Sequence, residues 1–289
     1  MNEQALKERL KFIATLENRS LHEVWKSLIL ERLLARLAHS RYCDHFIFKG
    51  GFLLSYYLDI GRETTDLDFL ARKINAEENS IKNAFDAICN INMADGFELS
   101  CEKIEILDHT HMNYPGYRLR ISVKLGKMKD VIQVDIGVGD TVKPKQKSLN
   151  LYRYKEKPIF EDTISLQVYP TETIFSEKLE TIIARGHINS RMKDFHDILL
   201  LSREKFLIDK NKLKINIDNT FQHRKTNKEI PLKFTEIEYS ILQLQWGAHL
   251  RVLGDTTKTL NLPEKISDLI EEINNWLEKN YLTPELNTA

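Results

Sequence analysis

The sequence predicts an α+β protein, with a mixed sheet and flanking helices in residues 1–170 and a helical bundle in residues 171–289. Short stretches between residues 46 and 168 alternate apolar and polar side chains, which is typical of strands. Apolar residues at three- and four-residue spacing before residue 40 and after residue 171 indicate helices. A chain of 289 residues is long enough for two domains, each with its own core.

The composition limits the classes of protein to consider. The 42 lysine and arginine residues balance 42 aspartate and glutamate residues, which argues against a surface that is basic throughout but allows a local basic face. No apolar run reaches the roughly 18 residues of a membrane span, and the N-terminus lacks the apolar core of a signal peptide. Three scattered cysteines favour reduced thiols. We therefore expect a cytoplasmic protein with no membrane partner.

The first helices are predicted over residues 3–39, where leucine and isoleucine recur at helical spacing. Ser20 is placed to cap the second of them. We expect these helices to pack on the sheet, and binding of a partner is the alternative.

The stretch from residue 46 to residue 71 organises the rest of the chain. An apolar strand ends at Lys49-Gly50-Gly51, a short helix follows, and a polar loop that contains Thr65 leads into a second strand. Two glycines at a strand-to-helix turn let backbone N–H groups approach an anion, and a helix N-terminus favours negative charge. The spacing of a P-loop is absent, so the anion-binding interpretation depends on the whole combination.

Two aspartates in the second strand predict a metal site. Asp66 and Asp68 are separated by one residue, so their side chains share a face of the strand, about 6–7 Å apart along the chain. Carboxylates this close repel each other unless a cation lies between them, and Mg²⁺ is the usual intracellular cation that joins carboxylates to substrate phosphates. The alternative is an ordinary strand pair with a solvated acidic edge.

Three further strands, over residues 97–107, 117–125 and 131–138, are predicted as an antiparallel meander attached to the first two. In residues 143–157, six lysines and arginines are opposed by a single glutamate, with tyrosines interleaved. This segment is either a solvated connector or a surface that contacts a phosphate backbone, with the tyrosines available for stacking.

Asp135 lies in the middle of the last strand of the meander, where propensity disfavours aspartate. A third carboxylate that meets Asp66 and Asp68 across the sheet would explain it, because two-metal phosphoryl transfer needs such a cluster. An exposed aspartate on a half-solvated strand is the alternative. Asp140, beyond the end of this strand, is expected to be a turn residue.

Helices dominate the predicted structure after residue 170. Lys178, in the helix predicted over residues 171–185, lies at the edge of the apolar stripe, so we expect an anion beside it: a nucleotide phosphate or the aspartate cluster. Residues 234–253 and 263–281 are also predicted as helices, whereas the polar residues 215–229 are predicted as a long loop.

These motifs resemble the AbiEii/AbiGii-type nucleotidyltransferase toxins, which belong to the polymerase-β-like nucleotidyltransferase superfamily. The resemblance covers roughly residues 40–200 and rests on Lys49-Gly50-Gly51, GRETTDLDF at residues 61–69, Glu177-Lys178-Leu179, and RMKDFHDI at residues 191–198. Many superfamily members have Gly-Ser at the turn. This chain has Gly50-Gly51, so the resemblance implies only backbone contacts there.

The resemblance implies a nucleotidyltransferase sheet and a set of site residues. The implied metal ligands are Asp66, Asp68 and Asp135, and Lys178 would join them as a catalytic residue. The implied nucleotide-binding residues are Lys49, Gly50, Gly51, Thr65, Lys178 and Asp194. Asp194 would orient Lys178 or contact the ribose or base, and stabilising a helix N-terminus is its alternative role.

We therefore expect a Mg²⁺-dependent enzyme that transfers a nucleoside monophosphate from an NTP to an acceptor hydroxyl. The family is the toxin half of type IV toxin–antitoxin and abortive-infection systems, so a cognate antitoxin is an implied partner and the 3′ end of tRNA is the first acceptor to test. The alternative is a non-catalytic module that binds a nucleotide or an antitoxin. A metal-dependent phosphohydrolase would share the aspartates but would not need Lys178 or the glycine turn.

Overall fold

A computed structural model describes residues 2–107 and 116–282 of the chain. The described chain forms two compact units. The first comprises Met1–Tyr56 and Glu63–Tyr169, and the second comprises Tyr57–Arg62 and Pro170–Ala289. The predicted α+β class is confirmed, with a mixed sheet in the first unit and helices in the second. The domain boundary at residue 170 stays a prediction. It did not anticipate that the short segment Tyr57–Arg62 belongs to the second unit.

The first unit alternates helices and strands along the chain. In order, its elements are α1 (Glu3–Leu16), α2 (Leu21–Ala38), β1 (Phe46–Lys49), α3 (Gly50–Leu54), β2 (Asp66–Ala71), α4 (Glu78–Cys89), β3 (Glu98–Leu107), β4 (Gly116–Leu125), β5 (Met128–Val138), β6 (Lys145–Asn150), β7 (Arg153–Tyr154), β8 (Lys157–Pro158) and β9 (Thr163–Val168). Ser20 caps α2 with a complete capping box, as its position in the sequence predicts.

The main sheet has seven strands in the order β3-β4-β5-β2-β1-β9-β6. The meander of β3, β4 and β5 is antiparallel, as predicted, and β5 then pairs with β2 in parallel. Next to it, β2 and β1 are antiparallel, and β1 and β9 are parallel. The strands with alternating sequence show the matching burial, because side chains along a strand point to opposite faces of the sheet.

One face of the sheet is the core of this unit. Phe46, Phe69 and Phe85 meet in an aromatic cluster in which the rings of Phe46 and Phe85 are 4.9 Å apart and tilted edge to face. Helix α2 contacts β9 and α4, which confirms for α2 that the first helices pack on the sheet, whereas α1 contacts α2 and β7. Buried Arg36 on α2 is compensated by two hydrogen bonds of 2.9 Å to Asp95.

The basic segment at residues 143–157 is more structured than a solvated connector, which was one of its two interpretations from sequence. It contains β6, an edge strand paired antiparallel with β9, and the short hairpin of β7 and β8. The hydroxyl of Tyr152 accepts a hydrogen bond from Arg19, and the ring of Tyr154 packs edge to face on Phe12. Both tyrosines therefore have partners within the first unit, which weakens the interpretation that they are available for base stacking.

The second unit is helical in its described part. Its elements from residue 171 are α5 (Thr171–Arg185), a 3₁₀ turn (Gly186–Ile188), α6 (Met192–Arg203), α7 (Lys210–Arg224), α8 (Glu236–Leu253), α9 (Thr256–Thr259), α10 (Ile266–Leu277) and a π-helical turn (Glu278–Leu282). None of the helices in residues 2–107 and 116–282 combines the length and the apolar character that crossing a membrane requires.

The predicted loop at residues 215–229 is wrong, because most of it lies in α7. Only Leu213, Ile217 and Phe221 of α7 are buried, and they recur at four-residue spacing on the side that packs against α5. The remaining side chains are polar and hide this narrow stripe in the sequence. Asp209 caps the helix by accepting hydrogen bonds from the backbone N–H groups of Asn211 and Lys212.

Candidate active site

The glycine turn and the aspartate strand are in direct contact. Gly50 has a φ of +78°, and a Cβ placed on it would lie 1.9 Å from Oδ2 of Asp68. Lys49 is the antiparallel partner of Asp68 in the sheet register. Residue 50 therefore has to be glycine for both its backbone conformation and the close approach of the carboxylate.

The three predicted metal ligands share one face of the sheet. The parallel register of β2 and β5 places Asp68 beside Asp135 and Asp66 beside Gln133, and neighbours in register project to the same side. All three aspartates are partly exposed. The three carboxylates therefore lie on one face, as the alternation in the sequence predicted.

Arg118 holds Asp135 in a bidentate ion pair. The two residues are direct cross-strand partners on β4 and β5, and Nε and Nη2 of Arg118 donate to the two carboxylate oxygens at 2.8 and 2.7 Å. These hydrogen bonds outweigh partial burial and raise the pKa of Arg118. The lone aspartate in mid-strand therefore has a partner that the sequence analysis missed.

The donor set fits a hard divalent cation in chemistry and in register, because Asp66, Asp68 and Asp135 offer oxygen ligands from adjacent strands. As the side chains stand, no three His, Cys, Asp or Glu residues within residues 2–107 and 116–282 form a group that could hold a metal ion. A three-carboxylate site would require Asp135 to exchange Arg118 for the cation. The metal-ligand roles stay predictions.

Lys49, the sheet partner of Asp68, contacts an aspartate and a tyrosine of the first unit. Its ammonium lies 3.6 Å from Oδ2 of Asp140, 3.4 Å from the hydroxyl of Tyr169, and 4.8 Å from the centre of the Tyr169 ring. The side chain of Asp140 is only 6% exposed, so this residue, expected to serve a turn, instead compensates a lysine charge. The aromatic ring adds a cation–π contact.

The other residues of the first unit that are predicted to bind the nucleotide are Gly51 and Thr65. Gly51 lies in α3, which has five residues, so the helix dipole is small and the backbone N–H groups are the main feature offered to an anion. Thr65 is exposed immediately before β2. The nucleotide-binding roles of these residues stay predictions.

The second unit contains a separate group of charges, which we call the Lys178 cluster: Lys178, Asp194, Asp197, Arg62 and Arg191. Nζ of Lys178 lies 2.7 Å from Asp194 and 2.9 Å from Asp197. Asp197 also accepts two hydrogen bonds from Nη2 of Arg62, at 2.7 and 3.0 Å, and Arg191 donates to Asp194 at 2.9 Å. Two buried carboxylates are thus matched by three cations.

The electrostatics of the Lys178 cluster favour its charged forms. Burial alone would lower the pKa of Lys178, but Asp197 and Asp194 outweigh it and the pKa is raised. Burial alone would raise the pKa of Asp197, but Lys178 and Arg62 lower it to about 2. The two carboxylates beside Lys178 belong to Asp194 and Asp197, whereas the sequence led us to expect a nucleotide phosphate or the cluster of Asp66, Asp68 and Asp135. Asp194 does contact Lys178, whereas the contribution of Asp197 and Arg62 was missed.

A histidine pair adjoins this cluster. Nδ1 of the buried His196 lies 2.9 Å from Nε2 of His249. Burial lowers the pKa of both histidines to about 4, so both rings are neutral at pH 7.

Comparison with known families identifies the chain. A family model described as "Nucleotidyl transferase AbiEii toxin, Type IV TA system" matches residues 32–277. The chain belongs to the AbiEii family. AbiEii proteins are nucleotidyltransferase toxins of type IV toxin–antitoxin systems, so this chain is an enzyme of that class, with an NTP as substrate and an antitoxin as its counterpart.

Two solved structures from Helicobacter pylori are similar to this AbiEii chain. One is JHP933, which is 14% identical, with a TM-score of 0.46 over 91% of this chain and 93% of that chain. The other is a protein named as a candidate nucleotidyltransferase, which is 16% identical, with a TM-score of 0.49 over 92% of this chain and 100% of that chain. The comparison of this chain with curated proteins found no match.

Proposed function

We propose that this chain transfers a nucleoside monophosphate from an NTP to the 3′-terminal hydroxyl of a tRNA and releases pyrophosphate, in the cytoplasm. The observation that carries the proposal is the contact between the glycine turn and Asp68, whose neighbours on the same face are Asp66 and Asp135. A backbone turn that can receive phosphates and carboxylates that can hold a cation thus occupy one place in the first unit.

Each predicted site residue of the first unit has a role in this proposal. Asp66 and Asp68 would hold Mg²⁺, which when bound would draw electron density from the reacting phosphate and offset the charge of the triphosphate. Gly50, Gly51 and Lys49 would bind the phosphates through backbone N–H groups and an ammonium. Thr65, at the exposed end of the loop before β2, would donate a hydrogen bond from its hydroxyl to the bound nucleotide.

Asp135 would accept the proton of the acceptor hydroxyl after Arg118 releases its carboxylate. The exchange is feasible because this ion pair is partly exposed and therefore contributes little to stability. In the second unit, Lys178 would offset charge that develops on the leaving pyrophosphate, and Asp194 would orient its ammonium.

One observation favours the second candidate function, a non-catalytic module that binds a nucleotide or an antitoxin. Arg118 occupies both oxygens of the carboxylate that the transfer reaction would use as its base. A chain in which this pair never opened would bind a nucleotide without turnover.

The test is label transfer from each of the four NTPs, labelled at the α-phosphate, to total tRNA in the presence of Mg²⁺. We expect the wild type to label RNA and Asp68→Asn to lose the activity. Asp162→Asn, an exposed carboxylate of the same unit that pairs with Arg153, is the matched control and should keep full activity. Labelling by Asp68→Asn at the wild-type rate, or absence of labelled RNA with all four NTPs, would refute the proposal.

A further inference from the structure

The outward side of α8 carries an apolar stripe along its whole length. The stripe consists of Ile237, Ile241, Leu244, Ala248 and Val252. Steps of four, three, four and four residues place these side chains on one side of a helix. Leu244 is 76% exposed and Val252 is 87% exposed. The opposite side of α8 packs inward through Leu242, Trp246 and Leu253.

Helix α8 is apolar on two opposite sides. Because one of them packs inside the second unit, the other is left for a partner. Isolated exposed leucines and isoleucines are normal on protein surfaces, but a continuous row over four turns is typical of an interaction site. The alternation of four- and three-residue steps through Ile237, Ile241 and Leu244 is also the spacing that packs one helix against another.

The charges beside the stripe indicate which partner fits. Glu236 and Arg251 lie fifteen residues apart, at opposite ends of α8. This separation turns the helix by about 60° beyond four full turns, so both side chains lie on the Leu244 side of the stripe, Arg251 about 20° and Glu236 about 80° around the helix from Leu244. Within the part of the chain that the structure describes, neither side chain forms an ion pair.

An antiparallel pair of α8 helices satisfies these charges. With a two-fold axis at Leu244, Glu236 of each copy faces Arg251 of the other, because a two-fold axis across the helices keeps the edge and reverses the ends. Ile237 then faces Val252, and Ile241 faces the small Ala248. A parallel pair would instead place the two copies of each charged residue at the same height but on opposite edges of the contact, so Glu236 would not meet Arg251.

We propose that the chain forms a homodimer through the stripe on α8, with the two helices antiparallel. The contact area is smaller than the roughly 800 Å² per partner of a standard interface, because one helix face supplies most of it. We therefore expect reversible association in the micromolar range, visible as a mass that depends on concentration.

Sedimentation of the full chain tests the proposal. The mass of the wild type should rise from 33.8 kDa towards twice that value with increasing concentration. Leu244→Glu should stay monomeric, because it brings two charges together at the two-fold axis. Ile215→Glu, on an exposed site of α7, is the matched control and should associate like the wild type. A wild type that stays monomeric up to its solubility limit, or a dimer that survives Leu244→Glu, would overturn the proposal.

Charge reversal tests the orientation and the identity of the partner. Glu236→Arg and Arg251→Glu should each weaken the dimer by about tenfold or more, because each places like charges across the interface. The double variant should recover the wild-type dissociation constant. Failure of this recovery would exclude the antiparallel pair. Binding of α8 to anionic vesicles that Leu244→Glu abolishes, without self-association of the wild type, would show that the stripe meets a lipid surface instead.

Discussion

The two units use aspartate in opposite ways. In the first unit, Asp66 and Asp68 lie partly exposed on one face of β2, close enough to repel each other. In the second unit, the side chains of Asp194 and Asp197 are 2% and 0% exposed, and cations surround them. A partly exposed pair is accessible to a ligand, whereas a buried pair surrounded by cations stabilises its surroundings only while every partner is present.

The largest expected effect concerns the sheet. Asp68→Asn should lower the rate of nucleotide transfer by about a thousandfold, because it removes one charged ligand of the reacting phosphates. The free energy of unfolding should change by less than about 1 kcal/mol, since the amide keeps the shape of the carboxylate. Initial rates of label transfer and urea denaturation of the same preparation measure both quantities.

The contrast between the two units would be wrong if Asp68→Asn lowered the free energy of unfolding as much as a substitution in the Lys178 cluster. Asp68 would then be a structural carboxylate, and the assignment of the first unit as the catalytic one would lose its main support.

The second effect concerns stability. Lys178→Met removes one cation from between two buried carboxylates, and breaking such a group typically costs about 3–5 kcal/mol. Lys193→Met, on the exposed side of α6, is the matched control and should change the free energy of unfolding by less than about 0.5 kcal/mol. Urea denaturation that gives the same midpoint for both variants would show that the Lys178 cluster is not a source of stability.

The histidine pair gives the second unit a dependence on pH. His196 and His249 have their pKa lowered from 6.5 to about 4, so the unfolded chain binds protons between these values that the folded chain does not. Their contribution to stability is therefore complete above pH 6.5 and decreases as the pH falls, by on the order of 2 kcal/mol at pH 5 for His196 and by less for His249, whose charge solvent screens more. Asp197, with a pKa of about 2, adds a loss only below pH 3.8.

A variant isolates this effect from the rest of the molecule. Burial raises the pKa of Glu31 in the first unit to about 8, so its contribution decreases as the pH rises, in the opposite direction. The measurement is therefore the difference between the wild type and His249→Gln, which cannot be protonated, from pH 7 to pH 5. That difference should change with pH, whereas His22→Gln, an exposed histidine, should follow the wild type.

The smallest effect refines the role assigned to Arg118. Arg118→Met opens a partly exposed ion pair and should cost about 0.5–1 kcal/mol of stability. It also removes the cation that competes for Asp135, so the Mg²⁺ concentration for half-maximal transfer should fall several-fold. A rise in that concentration, measured by titrating Mg²⁺ against the initial rate, would show that Arg118 assists the metal site instead of competing with it.

Local sequence patterns predicted most of the fold and the positions of the aspartates. Strict alternation in β4 and β5 fixed which face Asp135 occupies, and glycine at residue 50 indicated a special backbone conformation. Arg118 was within reach of the same reasoning: the turn at residues 126–127 sets the register of the hairpin, and that register places Arg118 opposite Asp135.

Other features could not be read from local patterns. Helix α7 was missed because its buried stripe consists of only three residues in a polar sequence. The partnership of Arg62 with Asp197 joins residues 135 positions apart, and no periodicity connects them. The burial that makes Asp197 a structural residue depends on the packing of several helices, which only tertiary structure specifies.

The segment Tyr57–Arg62 has a practical consequence for dissecting the molecule. It interrupts the first unit between α3 and β2, so the chain passes between the units three times, after residues 56, 62 and 169. A fragment that begins at residue 171 would lack the guanidinium that accompanies Asp197, and no single cut releases either unit whole. Separate expression of the units would need a rearranged gene that attaches this hexapeptide to the helical part and rejoins α3 directly to β2.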